Sequence, residues 1–118
     1  MPLLFTYGTL RKSALAEKVL GNEAVLLSQN VSANGYQIYS LGSFPFAVPK
    51  QNTECKIIGD IFYITPSSLE FLDNYENVDT GLFERVFDSA LNCYIYIKGE
   101  KLIEQNAPLI ESGNWHDV

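Results

Sequence analysis

The 118-residue sequence contains one histidine and two cysteines. Because His116 is the only imidazole, the chain lacks both a second imidazole for a zinc site and a central base for a serine or cysteine triad. Cys55 and Cys93 match no metal-ligand spacing, and without a secretory signal we expect buried thiols instead of a disulfide. The sequence therefore gives no reason to expect a bound metal ion or a cofactor.

Positive charge and long apolar runs are scarce as well. Fourteen acidic residues against eight basic ones give a formal net charge of −6, and the longest basic run is Arg11 with Lys12. Such a chain repels a phosphate backbone and an anionic membrane surface. No run of about 18 apolar residues is available for a transmembrane helix. We expect a cytoplasmic protein that binds a small molecule, with no nucleic-acid or membrane partner and no oligomeric state indicated.

The apolar content, 47% of residues, is sufficient for one core, so we expect a single domain over residues 1–118. Helices are predicted over 14–20 and, from the capping-box spacing that starts at Ser67, over about two turns that follow. The tail from Glu100 has one apolar anchor, Trp115, and receives no assignment. Six runs rich in β-branched and aromatic residues predict strands: 3–7, 25–29, 36–41, 56–64, 83–89 and 92–97.

Strands this closely spaced cannot all be joined by helical crossovers. We therefore expect an α+β fold, a small mixed β-barrel of about six strands with short flanking helices. The brief link between the last two predicted strands favours their antiparallel pairing.

The first candidate site is the segment Tyr7, Gly8, Thr9 and Leu10, where a predicted buried strand breaks into a glycine loop before a predicted helix. Such a junction exposes successive backbone N–H groups, which bind a carboxylate as readily as a phosphate. A single glycine after a strand is also common in a simple turn. From these residues alone, both interpretations stay open.

The second candidate is Glu76, at the C-terminal end of the second predicted helix. A glutamate at a helix end is usually solvated surface. However, Tyr75, Phe83 and the pair Tyr94 and Tyr96 could form an apolar wall beside it. Burial against such a wall raises the pKa of a carboxyl group towards the range where it can both take and return a proton.

Two further groups of positions complete the set of candidates. Alternation places Phe83 and Arg85 on one face of a predicted strand, where Arg85 could hold a substrate carboxylate or be an ordinary salt-bridged surface residue. Tyr36 and the loop residues 44–45 could line a pocket, although aromatic residues in strands belong more commonly to the core.

Seven short motifs follow one another along nearly the whole chain. They are YGTLR at 7–11, GY at 35–36, FP at 44–45, GDIF at 59–62, LDNYE at 72–76, FERV at 83–86 and GNW at 113–115. In this order they resemble the gamma-glutamylcyclotransferase-like (AIG2-like) family. Two positions depart from the common pattern: Asn77 stands where glycine is usual, and Phe83 where tyrosine is frequent. Asparagine tolerates a left-handed backbone, so the turn should survive, whereas the missing hydroxyl at Phe83 affects fine specificity.

The resemblance implies a compact barrel in which the first loop holds the α-carboxylate and α-amino end of a small gamma-glutamyl substrate. Carried over by position, Tyr7, Gly8, Thr9 and Leu10 bind substrate and Glu76 transfers protons. We add Tyr36, Phe83 and Arg85 as candidate substrate contacts. The implied reaction releases 5-oxoproline by attack of the substrate's own amine, so the chain needs no histidine base or activated serine.

Two alternatives stay open at this stage. A fold can be kept while its chemistry is lost, so the chain could be a non-catalytic module that binds a small molecule on the same fold. It could also be a different enzyme at the same site, one that trims a gamma-glutamyl group from a biosynthetic intermediate.

Overall fold

The computed structural model describes residues 2–11, 18, 20–21, 23–51, 54–102 and 106–115. A single 3-10 turn, Thr9–Arg11, follows the first strand. The helix predicted over 14–20 lies for the most part outside the described residues. The strands and the helix with defined bounds are β1 (Leu3–Thr6), β2 (Val25–Asn34), β3 (Tyr36–Ser40), β4 (Pro45–Pro49), β5 (Lys56–Tyr63), α1 (Pro66–Tyr75), β6 (Phe83–Asp88) and β7 (Cys93–Lys98).

Five strands form one sheet in the order β2-β5-β1-β7-β6, and β3 pairs with β4 in a second sheet. The first strand lies at the centre of the large sheet, antiparallel to β5 and parallel to β7. The short connection between β6 and β7 gives the antiparallel pair expected from its length. No described helix has the length and apolar character needed to cross a membrane.

The α+β prediction is confirmed, but closure into a barrel is not. Among the described residues, β2 and β6 are the two edges of the large sheet and do not pair with each other. Gly35, with a φ of +87°, turns the chain between β2 and β3, so that β3 leaves the large sheet and pairs with β4 instead.

The predicted strands are present, with two differences. The second strand continues to Asn34 because Asn30, at a φ of +55°, takes part in an irregularity of the β2–β5 pairing instead of ending the strand. The segment Pro45–Pro49, which was not predicted as a strand, forms β4.

The core has two clusters on opposite sides of β1. Leu4 contributes to the cluster that contains Leu69 and Leu72 of α1, whereas Phe5 contributes to the other. Because successive side chains of a strand point to opposite faces, a strand buried on both sides must be apolar at consecutive positions. The central place of β1 therefore follows from its consecutive apolar residues, Leu3 to Phe5.

Both ends of helix α1 are formed by residues that favour helix ends. Thr65 is the N-cap, with its Oγ1 accepting the Ser68 N–H at 3.1 Å, and Pro66 occupies the first turn. The cap therefore lies two residues before the predicted Ser67. Asn77 follows the C-cap Glu76 with a φ of +54°, so it adopts the left-handed conformation expected of it.

A close contact between β1 and β5 depends on Gly59. A Cβ atom at this position would meet the carbonyl oxygen of Thr6 and lie 2.6 Å from Cζ of Phe5. The missing side chain therefore lets the two central strands approach each other where β1 leads into the first loop.

Replacing Gly59 with alanine should destabilise the protein by about 1–3 kcal/mol, because the methyl group overpacks the space between the two strands. Denaturant unfolding measures this change. The exposed Lys56 at the start of the same strand gives a control, since Lys56→Ala should change the free energy of unfolding by less than about 0.5 kcal/mol. Equal stability of Gly59→Ala and the wild type would contradict the close contact.

Candidate functional site

A cavity of about 460 Å³ opens between the end of β1, the end of α1 and the loop before β4. Its walls are mainly apolar, and a few polar groups converge at one side. The lining residues are Leu4, Phe5, Thr6, Tyr7, Gly8, Leu10, Ser43, Phe44, Pro45, Tyr75, Glu76, Asn77, Leu82, Phe83, Tyr96 and Leu102.

The loop after β1 forms one side of this cavity. Gly8 packs so closely against the start of β4 that a Cβ atom would lie 2.8 Å from Cγ of Pro45. The Arg11 N–H donates to the Gly8 carbonyl at 3.1 Å and closes the turn. Among the hydrogen bonds of the described residues, none uses the backbone N–H of Gly8, Thr9 or Leu10. These donors are available to a bound anion, whereas the Thr9 side chain lies outside the described part.

Arg11 anchors the same loop from its other side. Its Nη2 lies 3.4 Å from Oδ1 of Asp60 and 2.7 Å from Oδ1 of Asn30, and its Nη1 lies 2.8 Å from Oδ1 of Asn114. The side chains of Arg11 and Asp60 are 6% and 4% exposed. Because a buried ion pair is costly to break, this contact holds the loop against β5 and the tail.

The hydroxyl of Tyr7 connects three strands beneath the cavity. It donates to the carbonyl oxygen of Tyr96 in β7 and accepts the backbone N–H of Ala47 in β4 at 3.1 Å. Burial raises the pKa of Tyr7, and the nearby carboxylate of Glu76 raises it further. Tyr7 therefore stays protonated, and its side chain supports the cavity wall.

Glu76 is the half-buried carboxyl group of the cavity. Its backbone N–H donates to the carbonyl oxygen of Leu72 at 2.8 Å, which fixes it at the end of α1. Among the described residues its carboxylate has no hydrogen-bond or ion-pair partner. Burial raises its pKa from the ordinary 4.5 to about 7. At neutral pH both protonation states are therefore populated.

Tyr96 lines the same cavity from β7, and its hydroxyl is bonded to a neighbouring carboxylate. Its hydroxyl donates to Oδ1 of Asp73 at 2.7 Å, and Oδ2 of Asp73 lies 3.5 Å from Nη1 of Arg85. Arg85 also lies over the ring of Tyr94, 4.9 Å from its centroid. Burial raises the pKa of Tyr96, as does its hydrogen bond to Asp73, so Tyr96 also stays neutral.

The structure brings together most of the predicted site residues. Tyr7, Gly8, Leu10, Glu76 and Phe83 line one cavity, and the backbone of Thr9 lies between two of its lining residues. Phe44, Pro45, Tyr75 and Tyr96, which the sequence offered as aromatic or loop candidates, line it too.

Two predicted residues lie elsewhere. The Tyr36 hydroxyl donates to Oδ2 of Asp88 at 2.7 Å, and its ring belongs to the second core cluster. Arg85 borders a separate groove together with Phe87 and Tyr94. Their roles as substrate contacts stay predictions that the cavity's lining does not support.

Several lining residues carry no sequence signal that would have selected them. Leu82 and Leu102 are ordinary apolar residues, and their part in the wall depends on Gly99, whose N–H donates to the Leu82 carbonyl at 2.9 Å. Asp73 lies inside the LDNYE motif, but its partner Tyr96 comes from a strand 23 residues away.

Among the described residues, no group of three or more histidine, cysteine or acidic side chains could hold a metal ion.

Comparison with known proteins relates the whole chain to one family. Residues 4–117 match the family described as gamma-glutamyl cyclotransferase, AIG2-like. The gamma-glutamylcyclotransferase family protein ytfP of Citrobacter rodentium is 34% identical over 118 residues, which cover 97% of this chain and 95% of that protein.

Solved structures agree with this relation. The solution structure of ytfP from Escherichia coli has a TM-score of 0.72 and 29% identity, and the match covers 98% of this chain and 96% of that one. A gamma-glutamyl cyclotransferase structure has a TM-score of 0.66 and covers 91% of this chain and 68% of that one. Its identity is 14%, so this likeness concerns the fold alone.

Replacing Glu76 with glutamine should stabilise the protein above neutral pH and have little effect below pH 4.5. The folded carboxyl titrates near 7 and the unfolded one near 4.5, so the folded state holds its proton more tightly. The stability due to the protonated group is therefore complete below 4.5 and is lost as the pH rises through 7.

Denaturant unfolding at a series of pH values measures this difference. The gap between Glu76→Gln and the wild type should widen from pH 4.5 to 7 and then stay level. Glu70→Gln, an exposed substitution on the same helix, should show no such widening. A gap for Glu76→Gln that does not vary with pH would contradict the buried, unpartnered carboxyl group.

Proposed function

Because the chain belongs to the gamma-glutamyl cyclotransferase, AIG2-like family, we propose that it releases 5-oxoproline from a small gamma-glutamyl amide. The observation that carries the proposal is the unpartnered carboxyl group of Glu76, which shares one cavity with the loop of Gly8 and Leu10. A base near the reacting atoms and an anion site within one cavity are what this reaction needs.

The substrate's glutamyl end binds at the first loop in this proposal. Its α-carboxylate accepts hydrogen bonds from the backbone N–H groups of Gly8, Thr9 and Leu10, which have no other partner among the described residues. The volume of about 460 Å³ suits a small ligand. Binding in this way folds the chain of the substrate so that its amine meets its γ-carbonyl, which supplies the entropy of ring closure.

Starting from the neutral form of the substrate's α-amine, Glu76 then moves one proton. The α-nitrogen forms a bond to the γ-carbonyl carbon, and Glu76 takes a proton from that nitrogen. The bond between this carbon and the leaving nitrogen breaks, and Glu76 returns the proton to the departing amine. The products are 5-oxoproline and a free amine, and the carboxylate is regenerated. A pKa of about 7 suits both the uptake and the return of the proton, since neither transfer is then strongly unfavourable.

The apolar walls serve the same chemistry. Phe44, Leu82, Phe83 and Leu102 keep water from the reacting carbonyl and leave the carboxyl group poorly solvated. Phe83 has no hydroxyl, so it adds an apolar surface to this wall and no hydrogen bond to the substrate. A module that only binds its ligand would gain nothing from an unpartnered acid in its cavity, because burying such a group costs stability.

Glu76→Gln should lower 5-oxoproline release by about 10²- to 10⁴-fold, because glutamine keeps the shape of the side chain but cannot take a proton. Glu70→Gln on the exposed face of α1 is the matched control and should keep wild-type activity. The assay measures 5-oxoproline formed from gamma-glutamyl amino acids, gamma-glutamyl amines and glutathione. Full activity of Glu76→Gln would remove Glu76 from the mechanism, and no release from any of these substrates would favour the non-catalytic binding module.

A further inference from the structure

The first loop is fixed at its start and at its end to one residue of β5. Thr6, the last residue of β1, lies opposite Asp60 in the pairing of β1 with β5. Arg11, at the end of the 3-10 turn, returns to the same residue, with its Nη2 3.4 Å from Oδ1 of Asp60. Asp60 therefore holds both ends of the loop.

The guanidinium group of Arg11 is oriented through its two terminal nitrogens. Besides its contact with Asp60, Nη2 donates to Oδ1 of Asn30 at 2.7 Å, and Nη1 donates to Oδ1 of Asn114 at 2.8 Å. The Nε atom is buried and has no hydrogen-bond partner among the described residues. Because a guanidinium group is planar and rigid, contacts at both terminal nitrogens fix its direction. With only one of them left, the group can pivot.

The partners of Nη2 belong to the large sheet. Asn30 lies in the irregular part of the β2–β5 pairing with a φ of +55°, and its backbone N–H donates to Oδ1 of Asp60 at 3.1 Å. The two partners therefore contact each other on adjacent strands. The irregularity in β2 places the Asn30 side chain beside Arg11, and the sheet itself holds this contact in place.

The partner of Nη1 comes instead from the tail. The Ile58 N–H of β5 donates to the carbonyl oxygen of Gly113 at 2.8 Å. Gly113 has a φ of +72°, and a Cβ atom there would overlap the carbonyl oxygen of Lys56. A close backbone contact with β5 therefore places the next residue, Asn114, beside Arg11.

Arg11 is joined to the candidate anion site through its own backbone. Its N–H donates to the carbonyl oxygen of Gly8 at 3.1 Å and closes the turn that carries the free N–H groups of the first loop. A change in the direction of Arg11 therefore turns these donors. Asn114 and the other described residues of 106–115 do not line the cavity, so an effect of Asn114 on binding must pass through Arg11.

We propose that Asn114 is a positioning residue for the anion site: by holding Nη1 of Arg11, it keeps the backbone N–H groups of the first loop aligned for a carboxylate. Donors that are already aligned lose less conformational freedom on binding. The proposal rests on the proposed function for the identity of this carboxylate as the α-carboxylate of the substrate. Because that group is remote from the bond that breaks, it is held equally in the ground state and the transition state, and its loss raises KM more than it lowers kcat.

The first test measures the loop in the protein without substrate, by nitrogen NMR relaxation of the backbone N–H groups of Gly8 and Leu10. Asn114→Ala should lower their order parameters, while those of the central strands stay level. Asn114→Asp keeps an oxygen that accepts from Arg11 and should recover most of the loss. Glu111→Gln, an exposed substitution in the same tail, is the control and should change nothing. Unchanged loop order in Asn114→Ala would overturn the proposal.

The second test is kinetic and uses any gamma-glutamyl substrate from which the wild type releases 5-oxoproline. Asn114→Ala should raise KM by about 3- to 10-fold, the effect of one lost hydrogen bond, and change kcat by less than about twofold. Asn114→Asp should again recover most of the loss. A decrease confined to kcat would contradict the positioning of a carboxylate site.

A double-variant cycle tests the route through Arg11. Arg11→Lys keeps a positive charge for Asp60, but its single Nζ cannot replace contacts at two separate nitrogens. In this background Asn114→Ala should add little to KM, and fully additive effects would overturn the route. If Arg11→Lys does not fold, Asn114→Ala and Asn114→Asp still decide the proposal.

Failure of the enzyme proposal would be visible separately. If no substrate releases 5-oxoproline while Asn114→Ala loosens the loop and Asn114→Asp restores it, the proposed function fails and the positioning of the loop by Asn114 stands.

Discussion

The hydrogen bonds of the Tyr7 hydroxyl are the constraint on which the cavity depends. This one group accepts the Ala47 N–H of β4 and donates to the Tyr96 carbonyl of β7, so it ties the end of β1 to both sheets. Tyr7 and both of its partner residues are buried, and a buried polar group left without a partner costs about 1–3 kcal/mol. The position of the first loop, and the packing of Gly8 on Pro45, follow from this junction.

The rest of the site is built at some cost to stability. Helix α1 ends at Tyr75 with Glu76 as its C-cap, and the left-handed Asn77 turns the chain so that the carboxyl group remains at the cavity wall. The partial negative charge of a helix C-terminus and the apolar surroundings both disfavour an ionised carboxylate. Natural proteins tolerate such unfavourable local arrangements mainly where they serve function, which is consistent with the proposed role of Glu76.

Sequence patterns located most of the strands but only part of the site. Alternation places Phe83 and Arg85 on one face of β6, but it does not show where along the strand the cavity ends. A two-residue step moves the chain by about 7 Å. Phe83 therefore lines the cavity, whereas Arg85 lies beyond it over Tyr94. Tyr36 was similarly out of reach, because its partner Asp88 lies 52 residues away in the chain.

The sequence by itself determined the local geometry. A largely apolar run ending in glycine made β1 a buried strand followed by a loop, and an asparagine after the LDNYE motif ended the helix next to Glu76. Only the tertiary structure decided that Glu76, one of fourteen acidic residues, is poorly solvated and lacks a partner among the described residues. That property depends on the burial of Glu76 in a cavity wall built from the end of β1, from β7 and from the loop before β4. Solvation is set by the groups that surround a side chain in space, and folding alone brings these groups together.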